Sequence, residues 1–410
     1  MTCSTEKYRA IARELAPTLA DRAPTWDQTR QYCHANVDDL VATGLMGMTI
    51  PEPFGGAGAS FLDVIVVVEE IAKACALSAR IVVEANMGGI SAIMAHGTNA
   101  QRTRCAALVL SGDKPAICIT EPNAGSAATD MQTTARKVDG GYVLNGTKHW
   151  ITGGGVSKLH LVFAKVLTAT GAPLGTGGFL VHVDPENGQT PSGFRVTGRE
   201  RTMGLCGMPE AKLEFTDLFV PDEFVLNSPS NFKHGFGELM TAYNSQRVGA
   251  GAVALGLASG ALERATEYAT QRQQFGRPIA EFQGLQWMLA DMDTSVHAAR
   301  LLLHDAARSA ETDPTGFPNK TMAARAKLFA AEAAIKVVDQ ALQIHGARGY
   351  GAQEPLERMY RDVRMFTIGG GTAQVLRTQI ASALLGTPTP QTRDGYSRLA
   401  AQRLDQTAAE

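Results

Sequence analysis

The order of secondary-structure patterns constrains the fold of this chain more than any other feature. Between about residues 116 and 225, short runs rich in β-branched and aromatic residues, such as HLVFAKV and GGFLVHV, alternate with turn sequences such as EPNAGS and DPENG. Long helical patterns occupy the chain on both sides of this block. One all-β block between two all-α blocks is an uncommon order, and it predicts an α+β protein built from several domains.

The same changes of pattern predict where the domains meet. We expect an N-terminal helical domain over residues 1–115, a β domain over 116–230 that forms a small barrel or sandwich, and a C-terminal helical domain over 231–387. A tail over 388–410 contains two prolines and mixed polar residues, so we expect it on the surface or at an interface.

Four helices are indicated by the spacing of their apolar residues. Ser60 and Asp63 have the form of a capping box at the start of the first helix, with Asp in place of the usual Glu. Pro278 is expected to end the pattern of the second helix. The four predicted helices are Phe61–Ala79, Met240–Gln271, Phe282–Ala310 and Lys320–His345.

Composition argues against several classes of protein. The formal net charge of −2 leaves no broad basic field for nucleic acid or an anionic membrane, so an anionic ligand has to be bound by a few placed cations. No apolar run approaches the ~18 residues of a membrane span, and the charged N-terminus differs from a signal peptide. The six cysteines form no CxxC pair. We therefore expect a cytoplasmic protein without metal, nucleic-acid or membrane partners.

Five sequence motifs follow one another along the chain. They are ICITEPNAGS at 117–126, NGTKHWITGG at 145–154, RQQFGRP at 272–278 followed by Gln283, QIHGARGYG at 343–351, and Arg361-Asp362 followed by Thr372–Gln374. In this order and at this spacing they resemble the signatures of the acyl-CoA dehydrogenase family. The resemblance extends over nearly the whole chain, and the joint pattern is much more specific than any single motif.

The resemblance implies a fold, a cofactor and an assembly. Members of the family have an N-terminal helical domain, a middle β-barrel domain and a C-terminal four-helix-bundle domain. They bind FAD and an acyl-CoA, and they form homotetramers in which FAD spans a subunit interface. We therefore expect FAD as the cofactor, an acyl-CoA as the substrate and a homotetramer as the assembly.

The first two motifs would surround the flavin, as the resemblance implies. Thr120 would hydrogen-bond the pyrimidine edge, Trp150 would pack against the ring, and Thr152 would bond near N5. Ser126 would contact the phosphate region of FAD or CoA. Further positions that match cofactor-binding residues are Ile117, Ile119, Thr372 and Gln374.

The third and fourth motifs would bind the rest of FAD from a neighbouring chain. An arginine makes charge-assisted bonds to a diphosphate, and a glycine lets backbone N–H groups approach it closely. The matching positions are Arg272, Phe275, Gln283, Gln343 and Gly346.

The acyl site departs from the family at the catalytic base. Family dehydrogenases remove an α-proton with a glutamate, and a positioned base is worth roughly 10²–10⁴ in rate. The usual position of that glutamate is Gly370 here, and the alternative position on the long helix is Gln246. A glutamine amide is not a useful proton acceptor, so both known base positions are empty. Asn244 and Arg247 match the CoA side of the pocket, and the backbone near Gly370 would bond the thioester carbonyl.

One subset of the family, the 3-sulfinopropionyl-CoA desulfinases, resembles this chain in the stretches AYNSQRVGAGAVALGLA and MFTIGGGTAQVLRTQ. These enzymes release sulfite and leave propionyl-CoA without net electron transfer, so they need neither the glutamate nor an electron-transferring flavoprotein. Their essential arginine matches Arg80, whose guanidinium fork suits the two oxygens of a sulfinate. The competing interpretation of Arg80 is a surface residue at a helix end. Gln246 would then bond the sulfinate or a water.

Three functions stay open at this point. The first is an FAD-containing desulfinase that hydrolyses 3-sulfinopropionyl-CoA, with Arg80 and Gln246 as catalytic residues. The second is an FAD-dependent dehydrogenase for a short or dicarboxylyl acyl-CoA, with its base elsewhere. The third is a catalytically silent FAD-binding protein that serves as an assembly partner.

Overall fold

A computed structural model describes residues 3–226, 229–390, 395–397 and 399–401. Residues 391–394, 398 and 402–410 of the predicted tail lie outside the described residues. The N-terminal part is helical, as predicted. Its helices are α1 (Cys3–Thr29), α2 (His34–Ala42), α3 (Phe61–Ala74), α4 (Ala76–Asn86), α5 (Gly89–His96) and α6 (Asn99–Leu110).

The predicted helix Phe61–Ala79 is in fact two helices. The capping box at its start is confirmed, because Ser60 Oγ accepts from the backbone N–H of Asp63 at 3.2 Å and the Asp63 carboxylate accepts from the backbone N–H of Ser60 at 3.1 Å. At Cys75 the backbone is extended, and α4 begins at the next residue. Cys75 and every residue of α4 are buried, so apolar spacing could not locate the break. The break places Arg80 inside α4.

The middle part of the chain forms one sheet. Seven of its eight strands pair in the order β6-β7-β3-β2-β4-β5-β8. The eighth strand, β1, pairs in parallel with β4, along the same edge of β4 as β2. The strands that the sequence runs did not predict, β2, β6 and β8, are short. The eight strands are β1 (Ala116–Cys118), β2 (Thr134–Val138), β3 (Gly141–Thr152), β4 (Leu159–Leu167), β5 (Pro173–His182), β6 (Phe194–Arg199), β7 (Glu210–Pro221) and β8 (Val225–Leu226).

The C-terminal part is again helical, which confirms the predicted order of helices, strands and helices. Helix α9 has the predicted bounds. Helix α7 starts earlier than predicted and ends at Gln271, before a two-stranded hairpin, so Pro278 is not what ends it. The elements are α7 (Gly235–Gln271), β9 (Gln273–Gln274), β10 (Arg277–Pro278), α8 (Gln283–Arg308), α9 (Lys320–His345), α10 (Ala347–Tyr350), α11 (Pro355–Val363) and α12 (Ala373–Leu385).

Helix α7 brings the N-terminal and C-terminal parts into contact. It packs against α3 and α4 on one side and against α8 and α9 on the other. A Cβ added at Gly256 would lie 2.4 Å from the carbonyl oxygen of Glu69, and one added at Gly249 would lie 2.7 Å from a methyl of Val83. These glycines therefore permit a close approach of α7 to α3 and α4, and that approach places the polar residues of α4 and α7 in one region.

Within the described part of the chain, no helix combines the length and the apolar character that crossing a bilayer requires. The domain limits near residues 115, 230 and 387 stay our proposal.

Candidate active site

The turn at the position of the missing glutamate consists of three glycines above a lysine. Gly370 and Gly371 have φ values of 74° and 94°, a region that glycine adopts without strain. Lys327 of α9 donates from Nζ to the carbonyl of Gly369 at 2.9 Å and to that of Gly371 at 2.8 Å. Where the family has a carboxylate, this chain has a turn without side chains and an ammonium group beneath it.

The ammonium group of Lys327 is one of three buried cations in this region. Lys327 is fully buried and pairs with no carboxylate among the described residues. Burial lowers its pKa to about 7, and the positive charges of Arg247 and Arg80 act in the same direction. Both guanidinium groups act electrostatically on Lys327, so the three cations lie in the same region, which we call the pocket around Arg80. A cluster of positive charges of this kind attracts an anion. The sequence analysis missed Lys327, which sits in an ordinary helical pattern.

Arg80 lies in the first half of α4 and is only 5% exposed. Its Nε donates to Glu84 Oε1 at 2.7 Å, and the other oxygen of Glu84 accepts from Lys114 Nζ. Burial opposes ionisation of Glu84, but Lys114 and Arg80 outweigh it and lower the pKa of this carboxyl. The two terminal nitrogens of Arg80 make no hydrogen bond to any described residue, so they are available to a ligand. The interpretation of Arg80 as a surface residue at a helix end was wrong.

Helix α7 contributes a second guanidinium to the pocket. Arg247 Nη1 donates to Asn244 Oδ1 at 2.7 Å, and the guanidinium carbon lies 5.8 Å from the ring centroid of Tyr243. Arg247 Nε is buried without a hydrogen-bond partner in the described structure. Burial lowers the pKa of Arg247. Tyr243 and Asn244 lie four and three residues before Arg247, so the side chain of Arg247 can contact both on the surface of α7.

Gln246 faces the turn between α4 and α5. A Cβ at Gly88 would lie 1.8 Å from Gln246 Oε1, which shows how closely this side chain approaches the turn. Gly88 also has a φ of 67°, a conformation that favours glycine. The Oε1 of Gln246 is buried and has no partner among the described residues. A buried amide oxygen of this kind calls for a donor such as a water or a ligand.

Glu210 borders the same pocket, and the sequence analysis missed it. It begins β7 opposite Thr152, the last residue of β3. Thr152 Oγ1 lies 2.9 and 3.0 Å from the two carboxylate oxygens. Burial raises the pKa of Glu210 to about 7, against the opposing effect of the positive charge on Arg80. A glutamate at a strand start has no motif around it, so only its neighbours in space reveal it.

The end of β3 fits a flat aromatic cofactor. The register of β3 against β7 shifts between Lys148 and Ile151, which indicates a β-bulge. Within the bulge, Trp150 has a φ of 58° and is 52% exposed, and His149 stacks on it at 5.1 Å. Left-handed backbone is unfavourable for a bulky residue. The bulge therefore holds an indole out toward solvent, where a ring system such as a flavin could cover it.

The first two motifs are tied together at this point. The carbonyl of Thr120 accepts from the backbone N–H of His149 at 2.9 Å. The buried ammonium of Lys148 donates to Glu121 Oε1 at 2.8 Å. Lys148 and Glu121 thus join β3 to the loop that follows β1. Two predicted cofactor residues, partly buried beside this junction, are Ile117 and Ile119.

Five predicted FAD residues lie on the surface of the chain, and we call them the adenosine-side residues. Phe275 is 92% exposed, and Arg272 follows the last residue of α7. At ~1.5 Å per residue, Arg272 and Arg247 are about 37 Å apart along the helix. One chain therefore does not bring these residues to the pocket around Arg80. The adenosine-side residues are Arg272, Phe275, Gln283, Gln343 and Gly346, all exposed.

Three further predicted residues lie in a turn or at the start of α12, namely Ser126 in a turn, Thr372 just before α12 and Gln374 in its first turn. Ser126 and Gln374 are exposed. Thr372 accepts from the backbone N–H of Val375 at 3.2 Å and so caps α12 directly after the glycine turn. Their contacts to FAD stay predictions.

Comparison with known proteins agrees with this architecture. The chain matches the N-terminal domain of acyl-CoA dehydrogenase at residues 4–113, the middle domain at 116–218 and the C-terminal domain at 233–385. The chain belongs to the acyl-CoA dehydrogenase family, and the predicted fold is confirmed.

Two individual relatives and one solved structure are similar to the chain over nearly its whole length. The chain is 55% identical over 403 residues to a 3-sulfinopropanoyl-CoA desulfinase from Variovorax paradoxus, which covers 98% of this chain and 99% of that protein. It is 55% identical over 397 residues to a protein of the same name from Cupriavidus necator, covering 97% and 98%. Among solved structures, butyryl-CoA dehydrogenase from Megasphaera elsdenii superimposes with a TM-score of 0.86 at 33% identity, covering 94% of this chain and 99% of that chain.

Proposed function

We propose that this protein is an FAD-containing acyl-CoA desulfinase that hydrolyses 3-sulfinopropionyl-CoA to propionyl-CoA and sulfite. This substrate is the compound that the names of the two relatives write as 3-sulfinopropanoyl-CoA. The observation that carries the proposal is the buried guanidinium of Arg80, whose terminal nitrogens are unpaired within the described structure, in a pocket without the family's glutamate.

The reaction needs a water and no electron acceptor. The C–S bond breaks, its electron pair stays on carbon, and that carbon takes a proton. The sulfur takes the hydroxyl, so the two parts of one water molecule balance the equation. Since no electrons leave the substrate, removal of an α-proton is not required, and Gly370 in place of glutamate is compatible with the chemistry.

Arg80 is the group that would hold the sulfinate. Its two terminal nitrogens match two oxygens side by side, and Glu84 fixes the orientation of the fork through Nε. Arg247 and Lys327 add positive charge to the pocket. Fixed charges in a water-poor pocket stabilise the charge that develops as the C–S bond breaks.

Gln246 would position the attacking water. Its unpaired Oε1 can accept a hydrogen bond from that water without removing the proton. Lys327 holds the carbonyls of Gly369 and Gly371, and we place the thioester carbonyl at the backbone N–H near Gly370. In this arrangement Asn244 and Arg247 lie toward the CoA side.

FAD is the cofactor, as in the family to which the chain belongs. Trp150 and Thr152 would face the flavin ring, with Thr120 at its pyrimidine edge, and the exposed indole at the bulge fits such a ring. When bound, the flavin supplies an electron-accepting ring that closes the acyl pocket.

A second copy of the chain would complete the FAD site. The adenosine-side residues are exposed and about 37 Å along α7 from Arg247, which supports the family's homotetramer. Because no electrons leave the substrate, an electron-transferring flavoprotein is not required. A cytoplasmic location is supported by free thiols, which suit a reducing compartment. The free, buried cysteines of the described chain are Cys33, Cys75, Cys105, Cys118 and Cys206.

The test is sulfite release from FAD-loaded protein given 3-sulfinopropionyl-CoA. We expect sulfite and propionyl-CoA in equal amounts, without reduction of an artificial electron acceptor. Arg80→Lys keeps the charge but loses the fork, and we expect sulfite release to fall by at least ~100-fold. The matched control is Arg195→Lys, because Arg195 is an exposed residue of β6 that pairs with Glu214.

Two results would contradict the proposal. Acceptor reduction with succinyl-CoA would reveal a base and a dehydrogenase. Bound FAD without turnover of either thioester would indicate the catalytically silent alternative.

A further inference from the structure

Glu210 occupies a position where its charge acts on the group that would bind the substrate. It opens β7, and its backbone partner across the sheet is Thr152 at the end of β3. Both carboxylate oxygens lie within 3.0 Å of Thr152 Oγ1. No lysine or arginine of the described structure forms an ion pair with Glu210. The carboxyl group is therefore held in place by a hydroxyl rather than neutralised by a cation.

The charged and titratable groups that act on Glu210 come from three parts of the chain. Helix α4 contributes Arg80 and Glu84, the segment before β1 contributes Lys114, and α7 contributes Tyr243. Glu84 is already shared between Arg80 Nε and Lys114 Nζ. Arg80 and Lys114 are thus opposed by two carboxylates, Glu84 and Glu210, while Arg247 and Lys327 add further positive charge to the region. Protonation of Glu210 removes one of the two negative charges, so the net positive charge that an anion meets at Arg80 increases.

We propose that Glu210 couples proton binding to the binding of an anionic acyl chain at Arg80, so that the protein selects an acyl-CoA with a negative terminal group by taking up a proton. This inference rests on the proposed function, because it assumes that the sulfinate binds at Arg80. An anion at Arg80 repels an ionised Glu210 and is compatible with a protonated one. By linkage, the ligand therefore raises the proton affinity of Glu210, and protonation of Glu210 raises the affinity for the ligand.

The titration of Glu210 falls in a range where this coupling operates. Burial raises the pKa of Glu210 to about 7, whereas Arg80, Thr152 and Lys114 act to lower it. An anionic ligand on Arg80 removes part of that lowering effect. Hence the pKa rises further in the complex, and the proton is taken up most fully at pH values between the free and the bound pKa.

Protonation of Glu210 also changes what Thr152 can do. The ionised carboxylate only accepts, so the Thr152 hydroxyl must donate to it. The protonated carboxyl can donate to Thr152 Oγ1, and the hydroxyl hydrogen of Thr152 is then free to donate to a ligand. Binding of one proton thus has two effects. It removes a negative charge near the anion site, and it frees the hydroxyl of Thr152 at the end of β3, where the flavin is expected, to donate a hydrogen bond.

The experiment measures proton uptake on binding, without turnover. FAD-loaded protein is titrated calorimetrically with succinyl-CoA, a carboxylate analogue of the proposed substrate, at pH 7.5 in two buffers of different ionisation enthalpy. Butyryl-CoA, which ends in a methyl group, is the matched neutral ligand. We expect proton uptake with succinyl-CoA only. We also expect about tenfold weaker succinyl-CoA binding at pH 8.5 than at pH 6.5, with butyryl-CoA nearly unaffected.

The variant Glu210→Gln keeps the hydrogen bond to Thr152 and removes the titrating charge. An anion at Arg80 also raises the pKa of Lys327. The variant should therefore bind succinyl-CoA with clearly less proton uptake than the native protein and with a weaker pH dependence above pH 7. Equal uptake for the two ligands in the native protein, or undiminished uptake in Glu210→Gln, would overturn the proposal. If Glu210→Gln does not fold, Lys327→Met takes its place, because Lys327 titrates in the same range. Uptake on succinyl-CoA binding should persist in Lys327→Met, and its loss there would assign the proton to Lys327 and overturn the proposal.

The two proposals fail in different experiments. Loss of sulfite release with intact proton-linked binding would remove the desulfinase assignment alone. Sulfite release without proton uptake would remove the role of Glu210 alone.

Discussion

The pocket around Arg80 and the adenosine-side residues are two parts of one expected ligand site, yet they differ in burial and in bonding. In the pocket, Arg80, Glu84 and Lys114 are buried and linked by ion pairs within one chain. On the adenosine side, Arg272 and Phe275 project into solvent. A single chain thus assembles the buried charges of the proposed acyl site, whereas the proposed contacts to the far end of FAD would need a second copy of the chain.

This difference has an energetic consequence. Buried charges depend on one another, because removing one partner leaves the other without solvent or counter-charge. Exposed residues lose little when they are changed in the isolated chain. Changes in the pocket should therefore affect stability and chemistry together, and changes on the adenosine side should affect cofactor affinity alone.

The largest effect is expected from Glu84→Gln. This substitution leaves Arg80 and Lys114 buried without a counter-charge, and we expect a loss of about 3–5 kcal/mol in the free energy of unfolding. The denaturant midpoint of the FAD-free protein measures it. Glu263→Gln is the matched control, because Glu263 is an exposed partner of Lys73 and such pairs are worth ~1 kcal/mol or less. Equal losses of stability in the two variants would contradict the prediction, because they would show that the buried ion pairs contribute no more to stability than an exposed pair does.

A carboxylate returned to the glycine turn should abolish the proposed chemistry. In Gly370→Glu, the new carboxylate lies beside Lys327 and adds negative charge to the pocket, so we expect sulfite release to fall by ~100-fold or more, about 2.7 kcal/mol. The control Gly370→Ala shares the backbone cost of a side chain at φ 74° without the charge. It should lose about tenfold less activity. If the two variants release sulfite at the same rate, backbone strain rather than charge explains the loss.

A smaller and different effect is expected from Arg272→Gln. Loss of one charge-assisted contact to the diphosphate should weaken FAD binding by about tenfold, or ~1.4 kcal/mol. The denaturant midpoint of the FAD-free protein should stay within ~0.5 kcal/mol of the native value. Titration of FAD-free protein with FAD, followed by fluorescence, measures the affinity, and Arg195→Gln serves as the surface control. A loss of stability as large as that of Glu84→Gln would contradict the expectation that changes in the adenosine-side residues affect cofactor affinity alone.

The smallest effect concerns the pH dependence of stability. The pKa of Glu210 is about 7 in the folded chain and ~4.3 in an unfolded one. Between these values the folded chain binds more protons, so this group lowers stability as the pH rises from about 4.5 to 7. Glu210→Gln lacks this contribution. Because Glu210 is partly exposed, we expect the variant to gain roughly 1 kcal/mol relative to the native chain between pH 5 and pH 8.

The denaturant midpoints of FAD-free native and variant protein at the two pH values test this prediction. Taking the difference between the two proteins cancels Lys327, whose lowered pKa acts in the opposite direction. The prediction would be refuted if the difference in stability between the native protein and the variant were the same at both pH values.

Local sequence predicted much of this molecule because many of its signals are short-range. The capping box at Ser60 needs only the residue three positions later, and α9 has the predicted bounds because its apolar residues repeat at one helical period. The motif order identified the family, and the letters Gly370 and Gln246 alone showed that both known base positions lack a carboxylate. The break at Cys75 was missed because the apolar pattern continues through it.

Only the tertiary structure decided which charges share the pocket. Lys327 meets the glycine turn across more than forty positions of the chain, and Glu210 meets Thr152 across more than fifty. Neither pairing leaves a periodic or local signal, because the partners lie on different elements. Lys327 of α9 meets the turn before α12, and Glu210 of β7 meets Thr152 across the sheet on β3. The identity of Arg80 was readable in the sequence. Its bond to Glu84 is a local i,i+4 contact within α4. Its burial and its unpaired nitrogens depend on how α4 packs against the rest of the chain, since charge in a low-dielectric interior is governed by neighbours in space.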